Sequence, residues 1–160
     1  MTPVATSAEE RRAAALRLWI VLARAHAAVE AHARAHAAEH GLTLPEFGVL
    51  EALHHKGRML LGEVQRKLLV SSGGVTYLVD RLVDKGLVER CDNPEDRRAK
   101  FVSLTKKGAR FIERIFPEHA ERIERAVSSL GVEEQLAATA LLKKLGLGAA
   151  PPPSSLHPPP

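Results

Sequence analysis

The chain has 160 residues, enough for one domain with its own core and an oligomerisation element, and its 45% apolar and 26% charged residues are ordinary proportions for a globular protein. No run approaches the roughly 18 apolar residues of a membrane span, the start MTPVATSAEERRAAA has no apolar core behind positive charge, and a single cysteine excludes an intrachain disulfide framework. A membrane protein and a secreted disulfide scaffold are set aside, and a cytoplasmic protein is expected. The net charge is +4, and its placement is informative: residues 58–110 carry 12 Lys or Arg against 7 Asp or Glu, a net +5, which is the electrostatic footprint of a phosphate-binding face.

Residues 8–40 are Ala-rich without Gly or Pro, and Ser7 stands before Glu9 and Glu10 as a cap before an acidic first turn, so one long helix is predicted. Its apolar residues, Leu16, Leu18, Trp19, Ile20, Val21 and Leu22, exceed what one face of a lone surface helix needs, which calls for a second subunit. Gly41 ends the helix. The next helix opens with Thr43-Leu44-Pro45-Glu46, a capping box with Pro in the first turn, and buries Phe47, Leu50 and Leu53.

Leu61, Val64 and Leu68 mark a short helix, and Ser71 or Ser72 caps another built on Val75, Leu78, Val79 and Leu82. That spacing buries one face and exposes Thr76, Tyr77, Asp80, Arg81 and Asp84. A recognition helix, placed at about 72–85, enters the major groove with short, polar N-terminal residues against the base edges. Ser71, Ser72, Gly73, Thr76, Tyr77 and Arg81 are therefore the candidate contacts. Lys85-Gly86 ends the helix, and a two-stranded wing follows over about 87–104, turning at Asn93-Pro94-Glu95-Asp96. At its tip Asp96 is expected to hold one guanidinium while Arg97 or Arg98 enters the minor groove, with Lys100 on the returning strand as a further contact.

Beyond the wing, Thr105 caps a helix through Phe111, Ile112 and Ile115 and on to Ile123, Val127 and Leu130, kinked at Pro117. A last helix carries Leu136, Leu141, Leu142 and Leu145. The stretch from residue 147 to 160 holds six of the ten prolines and is expected to be disordered. No H-E-x-x-H, G-x-S-x-G, phosphate loop or dinucleotide fingerprint occurs, which argues against an enzyme.

The succession LTLPEFGVLEAL, GEVQRKLLVSSGGVTYLVDRLVDKGLVER and DNPEDRRAKFVSLTKKG resembles the multiple-antibiotic-resistance regulator (MarR) family over roughly residues 10–146. Its most specific parts are Asp96-Arg97-Arg98 and the L-T-x-x-G run from Leu104 to Gly108. The resemblance implies a mainly α, winged helix-turn-helix fold (α+β) with dimerisation helices at 8–40 and 105–146 flanking a DNA-binding domain at 42–108. It further implies a homodimer on a pseudo-palindromic operator in double-stranded DNA, with residues 71–81 in the major groove, Asp96 buttressing the wing and Arg97 or Arg98 in the minor groove.

The function expected is a ligand-responsive regulator, a repressor released by a small-molecule effector. Family members bind phenolic or aromatic anions where the dimer helices meet the winged domain, and LWIVLARAH, GGVTYLVDRL and Ile115 to His119 resemble the quinone- and phenol-responsive branch. Trp19, His26, His54 and His55 are the candidate lining of such a pocket. The alternatives are a metal- or thiol-responsive regulator and a non-specific architectural DNA binder. His32, His36 and His40 share a helical stripe with zinc-compatible spacing if a carboxylate such as Glu39 or another subunit completes it, but an Ala-His repeat reads first as a solvated polar stripe. Cys91 reads as a structural cysteine. No cofactor and no metal is expected.

Overall fold

Ser7 starts the first helix as its sequence predicts: its hydroxyl accepts the Glu10 N–H at 3.1 Å while its own N–H donates to Glu10 Oε2 at 2.7 Å. The computed structural model describes residues 7–68, 72–93 and 99–149. They fall into two units, one ending at Glu124 and one beginning at Arg125.

Helix α1 (Ala8–Glu39) ends where Gly41 takes φ +70° and Leu42 N–H returns to the Ala37 carbonyl at 3.0 Å. Its buried residues, Ala33, His36 and Ala37, all lie near its C-terminal end. Helix α2 (Leu44–Lys56) has the predicted reciprocal cap between Thr43 and Glu46 and buries Phe47, Leu50 and Leu53. Strand β1 (Met59–Leu60), helix α3 (Leu61–Leu68), helix α4 (Ser72–Asp84), strands β2 (Val88–Asp92) and β3 (Lys100–Leu104), and helix α5 (Lys106–Ala126) follow.

Phe47, Leu50, Leu53, Val64, Val75, Val79, Leu82, Val102, Ile112 and Ile115 form one closed core, drawn from α2, α3, α4, β3 and α5. Each such side chain contributes about 1.5–3 kcal/mol by leaving water. The helix-turn-helix therefore rests on a core that five separate elements share.

The sheet is three-stranded rather than two-stranded, in the order β1-β3-β2 and antiparallel throughout. Met59 pairs with Val102 and Leu60 with Phe101. A strand of two residues shows no alternation, so only its partner reveals it. In the wing Arg90 faces Val102 and Asp92 faces Lys100.

Thr105 joins wing to helix: its hydroxyl donates to the Gly86 carbonyl at 2.7 Å and accepts the Gly108 N–H at 2.9 Å. Gly108 packs directly on the chain at Leu87, where an added Cβ would stand 1.8 Å from the Leu87 carbonyl oxygen. The L-T-x-x-G run is thus a cap followed by a point of backbone contact that admits no side chain. Helix α5 passes through Pro117 without ending there. It stops at Ala126 instead of continuing to Leu130, and Leu130 N–H closes a turn on the Val127 carbonyl at 3.1 Å.

The second unit holds helix α6 (Val132–Gly148), which extends two residues into the stretch read as tail. Gly131 N–H donates to Glu134 Oε2 at 2.8 Å at its start. None of its residues is buried, and Leu141 is 68% exposed. The proline-rich segment from residue 150 lies outside the described residues.

Candidate nucleic-acid interface

Helix α4 is seated by Val75, Leu78, Val79 and Leu82, all buried, and stopped by Gly86 at φ +69° with Leu87 N–H bonded back to the Leu82 carbonyl at 2.9 Å. This leaves Gly73, Thr76, Tyr77 and Arg81 on the outer face, with Tyr77 61% exposed. Ser72 is the first residue of α4, and Ser71 lies outside the described residues.

A buried acid fixes the orientation of α4 against α2. Glu46 is fully buried, and its carboxylate accepts from Arg81 Nε at 2.9 Å and from Lys85 Nζ at 3.0 Å. Burial alone would raise its pKa. The Thr43 amide, the Arg81 guanidinium and the Lys85 ammonium outweigh that and lower it from the ordinary 4.5 to about 2. Lys85 also donates to the Gly41 carbonyl in the turn after α1 at 2.9 Å. Arg81 therefore braces the helix in addition to lying on its outer face, with its guanidinium 5.9 Å from the Tyr77 ring. The capping-box role of Glu46 was legible in the sequence, but its partners 35 and 39 residues away were not.

The wing is tied to the same helix by Arg90, which donates to Asp80 Oδ1 at 2.5 Å and to the Thr76 carbonyl at 3.4 Å. Lys100 pairs with Asp92 across the two strands. Asp96, Arg97 and Arg98 lie outside the described residues. Cys91 is half-buried with Sγ 3.8 Å from Ser103 Oγ. Sequence reading also passed over a basic cleft of about 520 Å³ between α2 and α3, lined by Lys56, Arg58, Met59, Glu63, Arg66 and Lys67. The only advance signal was the basic balance of residues 58–110.

The four residues assigned to an effector pocket do not converge. Trp19 is 66% exposed, and His26 is exposed and 3.7 Å from Glu30. His54 and His55 instead gather around Phe116, with ring centroids 5.6 and 4.9 Å away. A recess of about 330 Å³ lies elsewhere, among Arg34 of α1, Leu44, Phe47 and Glu51 of α2, Leu68 of α3 and His119 of α5. The histidine stripe also differs from expectation, because only His32 is exposed: His36 is completely buried and His40 half-buried. The C-terminal turns of α1 pack on α2 and α5, whereas an Ala-His repeat carries no apolar mark of an inward face. Burial, then His40 and His119, hold the His36 pKa below its ordinary value, and burial does the same for His119.

A MarR-family model matches residues 40–99. The regulator MhqR of Bacillus subtilis is 43% identical over 134 residues, which is 84% of this chain and 92% of that protein. The chain belongs to the MarR family. It is accordingly a DNA-binding transcriptional regulator of the winged helix-turn-helix type and not an enzyme. A solved cysteine-to-serine variant of MarR from E. coli, complexed with operator DNA, is 27% identical and superposes with a TM-score of 0.74 over 81% of this chain and 93% of its own. BpsR of Bordetella bronchiseptica, whose DNA binding is regulated by 6-hydroxynicotinic acid, is 28% identical with a TM-score of 0.73 over 81% of this chain and 98% of its own. Among the described residues of this MarR-family chain, no helix is long and apolar enough to cross a membrane.

Proposed function

We propose that this MarR-family regulator is a homodimeric repressor that holds a pseudo-palindromic operator with two copies of α4 and two wings, and that a small aromatic effector releases it. The observation that carries the reading is the outer face of α4, where Thr76, Tyr77 and Arg81 stand on a helix locked by Glu46. Gly73 supports it: among the described residues an added Cβ there would meet nothing within 4 Å, so their packing does not require glycine, whereas close approach to a duplex would. Ser71, Ser72 and Lys100 extend the contact set, Asp96 buttresses the wing, and Arg97 or Arg98 reaches the minor groove. Arg58, Arg66 and Lys67 of the basic cleft would add contacts to phosphates, which position a protein without reading sequence.

Dimerisation is supported by apolar surface that this chain leaves uncovered, Leu16, Leu18, Trp19 and Ile20 on α1 and Leu136, Leu141 and Leu142 on α6. The recess beside His119 supports an aromatic effector: Phe47, Leu44 and Leu68 offer apolar contact, and Arg34, which pairs with Glu30 at the same recess, would exchange that acid for a ligand carboxylate or phenolate. It lies between α1 and the winged domain, so a ligand there would alter the separation of the two recognition helices, with a coupling energy of about 1–3 kcal/mol.

The test is binding of the purified protein to DNA upstream of its own coding region against a scrambled duplex at fixed physiological salt, beside Thr76→Ala and Arg97→Ala. A preference of at least about a thousandfold, lost in both variants, is expected. Equal affinity for that duplex, the scrambled one and a panel selected from random sequence would refute sequence-specific repression. Operator affinity unchanged by saturating aromatic acids, phenols and quinones would refute the effector part alone.

A further inference from the structure

Where the last turns of α1 meet α5 lies a side-chain cluster that DNA reading does not use. His36 is enclosed by the rings of His40, His119 and Phe47, with centroids 4.7, 5.2 and 5.7 Å away. Among the described residues, neither ring nitrogen of His36 has a hydrogen-bond partner, and Nε2 of His40 and Nδ1 of His119 are likewise buried without one. Buried polar atoms are nearly always paired, so four orphan imidazole nitrogens in one place demand an explanation beyond packing.

The neighbouring acid supplies one. One ligand atom from each of His36, His40 and Glu118 lies within 4.8 Å of the others. Glu118 is oriented from behind by Arg122, which donates to its Oε1 at 3.0 Å and grips Glu39 with bonds of 2.9 and 2.6 Å. The other carboxylate oxygen, Oε2, faces His40 Nε2 at 3.8 Å. This is the outer support that metal-ligating carboxylates usually have. Around a tetrahedral ion with bonds of about 2.0–2.1 Å, ligand atoms stand about 3.3 Å apart, so a modest inward rotation of the three side chains closes the set.

We propose that His36, His40 and Glu118 form a binding site for a divalent transition metal of the zinc class, with a fourth position open. Two imidazoles and one carboxylate suit a borderline ion, whereas magnesium and calcium take all-oxygen sets. Glu39, the carboxylate that the helical spacing suggested, has both oxygens bonded to Arg122, whereas Glu118 gives Arg122 only Oε1 and keeps Oε2 toward His40. The bound ion joins the C-terminal turns of α1 to α5 beside the recess at His119. The site stands on its own geometry and does not depend on the operator reading.

The experiment is titration of the full-length, chelator-stripped protein with Co²⁺, read by the visible absorption of four-coordinate cobalt, followed by displacement with Zn²⁺ and challenge with Mg²⁺. One ion per chain is expected, with a Kd of about 1 μM or tighter for Zn²⁺ and no displacement by Mg²⁺. Glu118→Gln and His40→Gln, both at partly exposed positions and checked for folding by circular dichroism, are expected to weaken binding at least about tenfold. His32→Gln, one turn earlier on the exposed face of α1, is expected to leave it unchanged. Absence of binding below about 100 μM, or binding indifferent to both Glu118→Gln and His40→Gln, would overturn the proposal and leave a purely structural histidine cluster.

Discussion

The winged domain and the long helices treat their apolar residues in opposite ways. Leu50, Val64, Val79, Leu82 and Val102 are shut away completely, and the charged Glu46 among them has partners for both carboxylate oxygens. Leu16, Trp19 and Leu141, by contrast, are all more than 60% exposed, and α6 has no buried residue. The first region satisfies itself within one chain. The other has the composition of an interior without its enclosure, which is the usual mark of a surface completed by a second copy.

The sharpest way to break the self-sufficient region is at Gly108. A methyl group there would meet the Leu87 backbone, which has no flexible side chain to yield. Gly108→Ala is expected to cost about 3 kcal/mol or more, read as a fall in the denaturation midpoint at any protein concentration. A loss below 1 kcal/mol would show that the L-T-x-x-G contact relaxes easily.

Trp19 tests the other region. Large aromatic anchors at interfaces lose about 2 kcal/mol or more on truncation, so in the proposed homodimer Trp19→Ala is expected to raise the dissociation constant about thirtyfold in sedimentation experiments. The helical circular dichroism of the chain should not change, because Trp19 is exposed within it. An unchanged dissociation constant would remove this stretch of α1 from the interface.

Glu46 adds a pH dependence to the comparison. Its native pKa, about 2, lies below the ordinary 4.5, so as pH falls the unfolded chain takes up the proton first. The stabilisation is complete above about 4.5 and is lost as pH drops toward 2. Glu46→Gln is expected to cost about 1–3 kcal/mol at pH 6, and the gap from the parent protein should narrow at pH 3. A gap constant over that range would mean that the carboxylate charge contributes nothing.

The smallest effect is expected at Arg90, whose pairing with Asp80 is largely exposed. Arg90→Gln should cost no more than about 1 kcal/mol in stability. It should nevertheless weaken operator binding, because the same guanidinium ties the wing to the Thr76 carbonyl on α4. Unaltered operator affinity would mean that wing and helix are positioned independently.

Ser7, Thr43, Gly41 and Gly86 could all be read in advance, because caps and terminating glycines act over three to five neighbouring residues and leave a local trace. The buried face of α4 and the two wing strands were legible for the same reason, since periods of 3.6 and 2 are written along the chain. The linkage of Glu46 to Arg81 and Lys85, the contact of Gly108 with Leu87, the pairing of Met59 with Val102 and the burial of His36 beside Glu118 carry no such trace. Those partners lie between 21 and 82 residues apart, and even across the shortest span, from Leu87 to Gly108, a whole wing intervenes. They meet only when the core of α2, α4, β3 and α5 closes, because burial of apolar surface is non-directional and the packing of particular side chains, not their order, determines which polar groups are brought together.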